Sequence, residues 1–351
     1  MIVPAMRAAL GALHYSGLSA AFRPMFEGLG AIFMLHHIFP GGGRPQGFSP
    51  NYGLEMEPEF LDSVISLVKR RGMEPVSLDE AVERIAHPSR NSRRFAVFTL
   101  DDGYRDNLVH ALPVFRKHHC PFAIYVAPAI TDGTCELWWR ALEHIIAGTD
   151  LLELELVGKK YSLATATTAE KWNAWNTLYR PLRNMDQLEQ RHWIRAAALK
   201  YHVALDRMCR EAAMDWNEVR IIAKDPLCTI GAHTVHHYAV AMLSDDMCCA
   251  ELAASADRIE SELGKRPLHF AYPYGDKASA AARDFLLARE AGFRSAVTTR
   301  KGMIFAEHAE HLTALPRTSL SGKVQDLAFV SAMIDGLPFA LLNGFRKLNV
   351  G

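Results

Sequence analysis

The chain has 351 residues, 49% hydrophobic and 22% charged, a globular composition with length enough for one large α/β domain carrying insertions. Lys+Arg and Asp+Glu number 39 each, so no overall field attracts nucleic acid or an anionic bilayer, and a small or uncharged substrate is favoured. Six scattered cysteines (Cys120, Cys135, Cys209, Cys228, Cys248, Cys249) form neither a zinc ribbon nor a disulfide framework, which fits a reducing compartment.

Residues 5–28 read as a helix, without the pattern of an export signal. No apolar run is long enough to span a bilayer, so a cytoplasmic protein is expected. Contact of Met6, Leu10, Leu13 and Leu18 with a membrane surface is the alternative to simple packing of that helix. Ala31–Phe39 reads as a buried strand ended by Pro40-Gly41-Gly42-Gly43. Phe60–Arg71 is helical, since Phe60, Val64, Leu67 and Val68 share one face and Gly72 follows as a C-cap. Ser77 is an N-cap with Glu80 three residues on, and opens another helix.

Phe95–Leu100 is a second buried strand running into Asp101-Asp102-Gly103, followed by a helix over 106–118 and a strand over Phe122–Val126. Strands alternating with helices indicate a parallel sheet or barrel, whose chemistry gathers at the carboxyl ends of its strands. Residues 136–220 read as a helical insertion holding all six tryptophans: Trp138, Trp139, Trp172, Trp175, Trp193 and Trp216. They are taken as anchors of the helices, with stacking on sugar rings as the alternative. Strands resume at Cys228–Gly231, Phe270–Tyr272 and Arg294–Thr298, and Phe329–Val350 reads as an apolar helix. The domain expectation is a helical segment over 1–30, a barrel over 31–320 and a helical segment over 321–351.

Three segments carry chemistry. Asp101 and Asp102 place two carboxylates at a strand end, where their repulsion calls for a cation or a proton between them. Asp-Asp-Gly is also a common turn. In Gly231-Ala232-His233-Thr234-Val235-His236-His237, a helical turn starting near His233 would put His233 and His237 on one face, with His236 a competitor. Two imidazoles and a carboxylate with an open position suit a divalent ion such as Zn²⁺, which lowers the pKa of bound water. Phe270-Ala271-Tyr272-Pro273-Tyr274-Gly275 is a strand entering a turn that can offer the Tyr274 N–H to a substrate oxygen.

In this order the three segments resemble the polysaccharide deacetylase family, the NodB homology domain of carbohydrate esterase family four. Phe98–Gly103 resembles its first motif, with Leu100 in place of an aromatic. His233–His237 resembles the second, H-(S/T)-x-x-H, and selects His237 over His236. Phe270–Gly275 resembles the third, centred on Pro273 and Tyr274. The resemblance implies a distorted (β/α)7 barrel and hydrolysis of an N-acetyl group from an N-acetylglucosamine-type oligo- or polysaccharide precursor. It implies Asp101 as general base and Asp102, His233 and His237 as ligands of one divalent metal, Zn²⁺ first, with Co²⁺ or Ni²⁺ as alternatives.

Two departures from the family pattern shape the rest of the site. The third motif lacks its usual arginine, and Arg317 in Leu315-Pro316-Arg317 is the expected replacement. A late Leu-x-His segment is also missing, while His308 and His311 read as surface residues. Phe33-Met34-Leu35-His36-His37 resembles the rearranged element of poly-N-acetylglucosamine deacetylases, so His36 is the expected general acid and His37 its substitute. A non-sugar amide or cyclic imide as substrate, and a non-catalytic sugar-binding relative, are the competing readings.

Overall fold

Three apolar runs, β1 (Gly30–Leu35), β2 (Phe95–Leu100) and β3 (Phe122–Val126), are buried along their whole length. A strand covered on both faces has no side to leave polar. In the computed structural model, which describes residues 11, 15–41, 47–89 and 92–350, they join β4 (Cys228–Ala232), β5 (His269–Ala271), β6 (Ser295–Lys301) and β7 (Leu315–Ser319). All neighbours are parallel and follow chain order, and β1 pairs with both β2 and β7, closing a seven-stranded barrel. The barrel is distorted. A single residue pair, Phe270 with Ala232, joins β5 to β4, and a register shift lies between β6 and β7.

Period-two alternation sorts the strands into a lumen and an outer face. Along β2, Ala96, Phe98 and Leu100 pack outward into the large cluster beneath the helices, whereas Phe95 and Val97 join Ile32, Ala123, Tyr125, Ala271, Val297 and Leu315 in a separate inner cluster. Thr99 and Asp101 continue the inward series at the carboxyl end. The outer helices include Pro58–Arg70, Leu78–Ala86, Leu112–Lys117, Asp245–Leu263 and Ala282–Glu290. Ser77 caps its helix by accepting the Glu80 N–H at 3.2 Å.

The chain between β3 and β4 is more varied than a set of helices. Trp138–Ala147, Thr168–Arg183, Gln187–Lys200, Leu205–Ala212 and Trp216–Ala223 are helical, but an antiparallel hairpin, Leu151–Leu156 with Lys159–Ala164, stands among them. Alternation at Leu152, Leu154 and Leu156 is the strand signal there, and Val157-Gly158 forms its turn with both residues at positive φ. The tryptophans are chiefly packing groups. Trp138 and Trp175 lie against Tyr179, Trp172 meets Phe48, and the Trp193 and Trp216 N–H groups bond Glu155 O and Asp132 Oδ1.

Two further expectations need correction. The stretch 329–350 is two short helices, Leu327–Ile334 and Leu337–Leu342, broken at Gly336, whose φ of 85° lies in the left-handed region. His308 is buried rather than superficial, and burial lowers its pKa to about 4; His311 is half-buried. Of the N-terminal helix, Leu18–Phe26 is formed; residues 5–10 and 12–14, and with them Met6, Leu10 and Leu13, lie outside the described residues, as do Gly42 and Gly43. Among the described residues no helix is long and apolar enough to cross a membrane. All six cysteines are free thiols.

Gly231 in β4 lies in register with Tyr125 of β3, and a Cβ there would come within 2.5 Å of the Tyr125 ring and 2.9 Å of the His269 carbonyl oxygen. The ring is fully buried and the carbonyl is backbone, so neither moves cheaply. Gly231→Ala is expected to cost roughly 1–3 kcal/mol, read as a lower urea midpoint with unchanged slope. An unaltered midpoint would show that the lumen has room that the geometry denies.

Candidate metal centre and active site

β2 carries Asp101 inward, where its N–H still bonds Leu35 O of β1 at 3.0 Å. The strand then breaks: Asp102 has φ 72° and Gly103 φ 69°. This left-handed step re-aims the second carboxylate, and aspartate is among the side chains that tolerate it. Thr234 (φ 56°), His237 (φ 58°) and Tyr274 (φ 62°) hold the same uncommon conformation in the loops after β4 and β5. Backbone strain thus gathers where the three motifs meet. Gly275 is required beside Tyr274, since its φ is 56° and a Cβ would press on the Thr299 nitrogen at 2.6 Å.

The loop after β4 is not a helical turn. Its left-handed residues bring His233 and His237 together instead. Asp102 Oδ1 lies 3.1 Å from His237 Nε2 and 3.4 Å from His233 Nε2, and all three residues are buried. Asp102 Oδ1 has no hydrogen-bond partner among the described residues. The His233 Nδ1–H donates to Ala271 O at 2.6 Å, which leaves the lone pair on Nε2, facing the carboxylate. Burial lowers the His237 pKa to about 4, so that imidazole is neutral at physiological pH. An orphaned carboxylate oxygen converging with two imidazole nitrogens fits a divalent cation. His236 is excluded: its Nδ1 pairs with Glu251 Oε1 at 2.6 Å and its ring is about half exposed.

Asp101 is held apart from this triad. Arg317 Nη1 and Nη2 donate to its two oxygens, each at 2.7 Å, with both side chains buried. Arg317 also donates to Thr298 O at 2.8 Å and to Thr99 Oγ1 at 3.1 Å. Burial alone would raise the Asp101 pKa, but the guanidinium overrides it and holds the carboxyl below its ordinary value. His36 Nε2 is 3.9 Å from Asp101 Oδ2, and burial lowers its pKa. The neighbouring His37 is committed elsewhere, to Asp106 at 2.6 Å and to the Tyr104 ring at 3.5 Å. Of the two, His36 is the one that approaches Asp101.

Several supporting residues carry no local sequence signal. Glu251, on Asp245–Leu263, accepts the Val235 and His236 N–H groups at 2.8 and 3.0 Å. Arg191 donates to the carbonyls of His236 and His237, and Arg183 lies 3.7 Å over the Tyr274 ring. The Trp138 N–H donates to the Tyr274 hydroxyl at 2.7 Å. Pro273 is buried before Tyr274, and its carbonyl accepts the Gly275 N–H at 2.7 Å.

Two outcomes follow from this geometry. The purified protein is expected to bind one divalent ion per chain, and His237→Ala or Asp102→Asn to weaken it on the order of a hundredfold or more. Titration calorimetry reads this, and tight binding retained in both variants would remove the triad. Arg317→Met should destabilise by roughly 3–5 kcal/mol because it strands a buried charge. Adding Asp101→Asn should restore most of that loss in urea unfolding; no recovery would mean that Arg317 acts through packing alone.

A family model described as polysaccharide deacetylase matches residues 183–296, the segment holding the second and third motifs. No curated protein matches the sequence. Among solved structures, the chain is similar to the Streptococcus pyogenes deacetylase PplD in complex with acetate, at 16% identity and TM-score 0.56, covering 87% of this chain and 97% of that one. It is also similar to a de-N-acetylase from Aggregatibacter actinomycetemcomitans, at 13% and 0.55, covering 86% and 98%. IcaB from Ammonifex degensii follows at 17% and 0.52, covering 86% and 96%. At these identities the likeness is one of fold. The family model matches only the segment with the second and third motifs, while the likeness of fold to these deacetylases extends over most of the chain.

Proposed function

We propose that this protein removes the N-acetyl group from an N-acetylglucosamine-type oligo- or polysaccharide. The observation that carries this reading is the buried Asp102–His233–His237 triad standing beside a second, uncoordinated carboxylate that Arg317 keeps ionised. A cation bound by the triad, with Zn²⁺ the first choice for a carboxylate and two imidazoles, would supply Lewis acidity at the scissile amide.

The remaining work falls to the chain's own side chains. Asp101, ionised and free of the triad, accepts a proton from the attacking water as its oxygen bonds to the acetyl carbon. Arg317 keeps that carboxylate charged and aimed. The Tyr274 N–H, in its left-handed turn, is suited to meet the charge that develops on the carbonyl oxygen. The carbon–nitrogen bond then breaks, and the leaving nitrogen needs a proton. His36 starts neutral because burial lowers its pKa, so the proton that it passes on is the one taken up by Asp101, 3.9 Å away. The products are acetate and a free amine.

Metal-loaded protein should release acetate from N-acetylglucosamine oligomers, and metal-stripped protein should not. Asp101→Asn should lower turnover on the order of a hundred- to ten-thousand-fold while still binding the metal. His36→Ala should slow turnover far more than His308→Ala, since His308 is buried against Phe305 and away from the triad. Acetate release that is indifferent to Asp101→Asn would overturn the assignment of the base, and equal effects of the two histidine variants would overturn that of the acid.

A further inference from the structure

The helix ahead of β1 and the helices after β7 meet at the foot of the barrel. Arg94, just before β2, donates to Glu27 O at 2.9 Å and to Ile334 O at 2.7 Å, which fastens both to the amino ends of the strands. Leu18–Phe26 packs on Leu337–Leu342, and the Ser19 hydroxyl donates to Ala332 O at 3.3 Å. The Phe26 and Phe345 rings lie 6.0 Å apart, and the fit leaves no room for a Cβ at Gly336, which would strike Phe26 O. The two segments therefore form one fixed platform.

What this platform turns outward is apolar. Leu18, Phe22 and Met25 follow the i, i+4, i+7 spacing of one helix face. All three are exposed, whereas Ser19 and Phe26 beside them are buried. Leu341, Leu342 and Phe345 are exposed on the neighbouring segment. Large apolar side chains gathered in this way mark an interaction surface rather than scattered surface residues.

The charge around the face is one-sided. The chain as a whole is neutral, yet residues 1–26 and 336–351 carry Arg7, Arg23, Arg346 and Lys347 and not one acid. Arg23 is tied to Glu27 at 2.6 Å and Lys347 to Glu307 at 3.2 Å. Arg346 is exposed, makes no ion pair among the described residues, and lines one cleft with Phe26, Phe345 and Lys347.

We propose that this face docks on an anionic lipid surface, with its apolar side chains among the acyl chains and Arg346 at the headgroup phosphates. Apolar groups bordered by cations without acids are complementary to such a surface. A second copy of the same face would instead bring like charges together. The proposal stands independently of the de-N-acetylase reading. Because the platform lies at the amino ends of the strands, the Asp102–His233–His237 cluster at their carboxyl ends stays open when the protein is docked.

Co-sedimentation of the full chain with vesicles tests this, using phosphatidylglycerol and phosphatidylcholine in equal parts against phosphatidylcholine alone. The wild type should bind the anionic vesicles about tenfold or more tightly, and less so as salt is raised. Met25→Ser combined with Leu342→Ser should weaken that binding by about tenfold, and Arg346→Gln by about fivefold. Met25 and Leu342 are 61% and 68% exposed, so the unfolding midpoint should not move. Leu199→Ser is the control: that leucine is 81% exposed on Gln187–Lys200, and its loss should leave vesicle binding unchanged. No binding by wild type, equal binding to both vesicles, or binding that the double substitution leaves intact overturns the proposal. So does a wild-type dimer in light scattering that the double substitution disperses, since a second copy then covers the face.

Discussion

Asp101 ends an inward-facing series on β2, so its carboxylate arrives in the lumen of a closed barrel, away from bulk water. An isolated charge in that position is unfavourable by many kcal/mol unless it is paired and hydrogen-bonded. Arg317, on β7, meets it with both ends of its guanidinium and extends to Thr99 on β2 and the Thr298 carbonyl on β6. A side chain from the last strand thereby spans to the second, across the seam where β1 closes the barrel. The same contact favours the ionised form of Asp101 and engages both of its oxygens, apart from the Asp102–His233–His237 cluster. One buried fork thus ties the last strand to the second and keeps the Asp101 carboxyl below its ordinary pKa.

Around that fork the backbone takes conformations that side chains ordinarily avoid. Asp102, Thr234, His237 and Tyr274 all have positive φ, and each lies in a loop leaving a barrel strand. Strain of this kind persists where surrounding contacts over-determine it. Here the contacts come from outside the barrel. Glu251 holds two amides of the histidine loop, Arg191 holds two of its carbonyls, and Trp138 with Arg183 fixes Tyr274. Through Arg191, Arg183 and Trp138 the segment between β3 and β4 braces the site, and one of its tryptophans, Trp139, stands between the His237 ring and a neighbouring cavity.

Much of this was legible before any coordinates. Continuous apolar runs at β1, β2 and β3 mark strands buried on both faces, and the alternation with helices marks a parallel sheet or barrel, because both patterns follow from local periodicity; the choice of a barrel came from the resemblance of the motifs. Asp101, Asp102, His233 and His237 stood out because acids and imidazoles at strand ends are costly to place without a use. Other readings failed where local pattern was a poor guide. The hairpin at 151–164 was lost inside a helix-rich composition, and the apolar stretch after 329 was taken as one helix although Gly336 breaks it. His308 looked superficial in a polar stretch, yet tertiary packing buries it.

The sequence by itself determined the parallel α/β class, the order of the motifs and the residue types gathered at the carboxyl ends of the strands, since each is written in short-range spacing. Only the tertiary structure decided which partner each candidate side chain meets. His237 joins Asp102 while His236 pairs with Glu251, and His36 approaches Asp101 while His37 is held by Asp106. Arg317 reaches Asp101 from 216 positions away. Side chains one residue apart have nearly the same sequence context but point in different directions, and the partner each meets comes from a distant strand or helix. That choice belongs to three-dimensional packing, which no local pattern encodes.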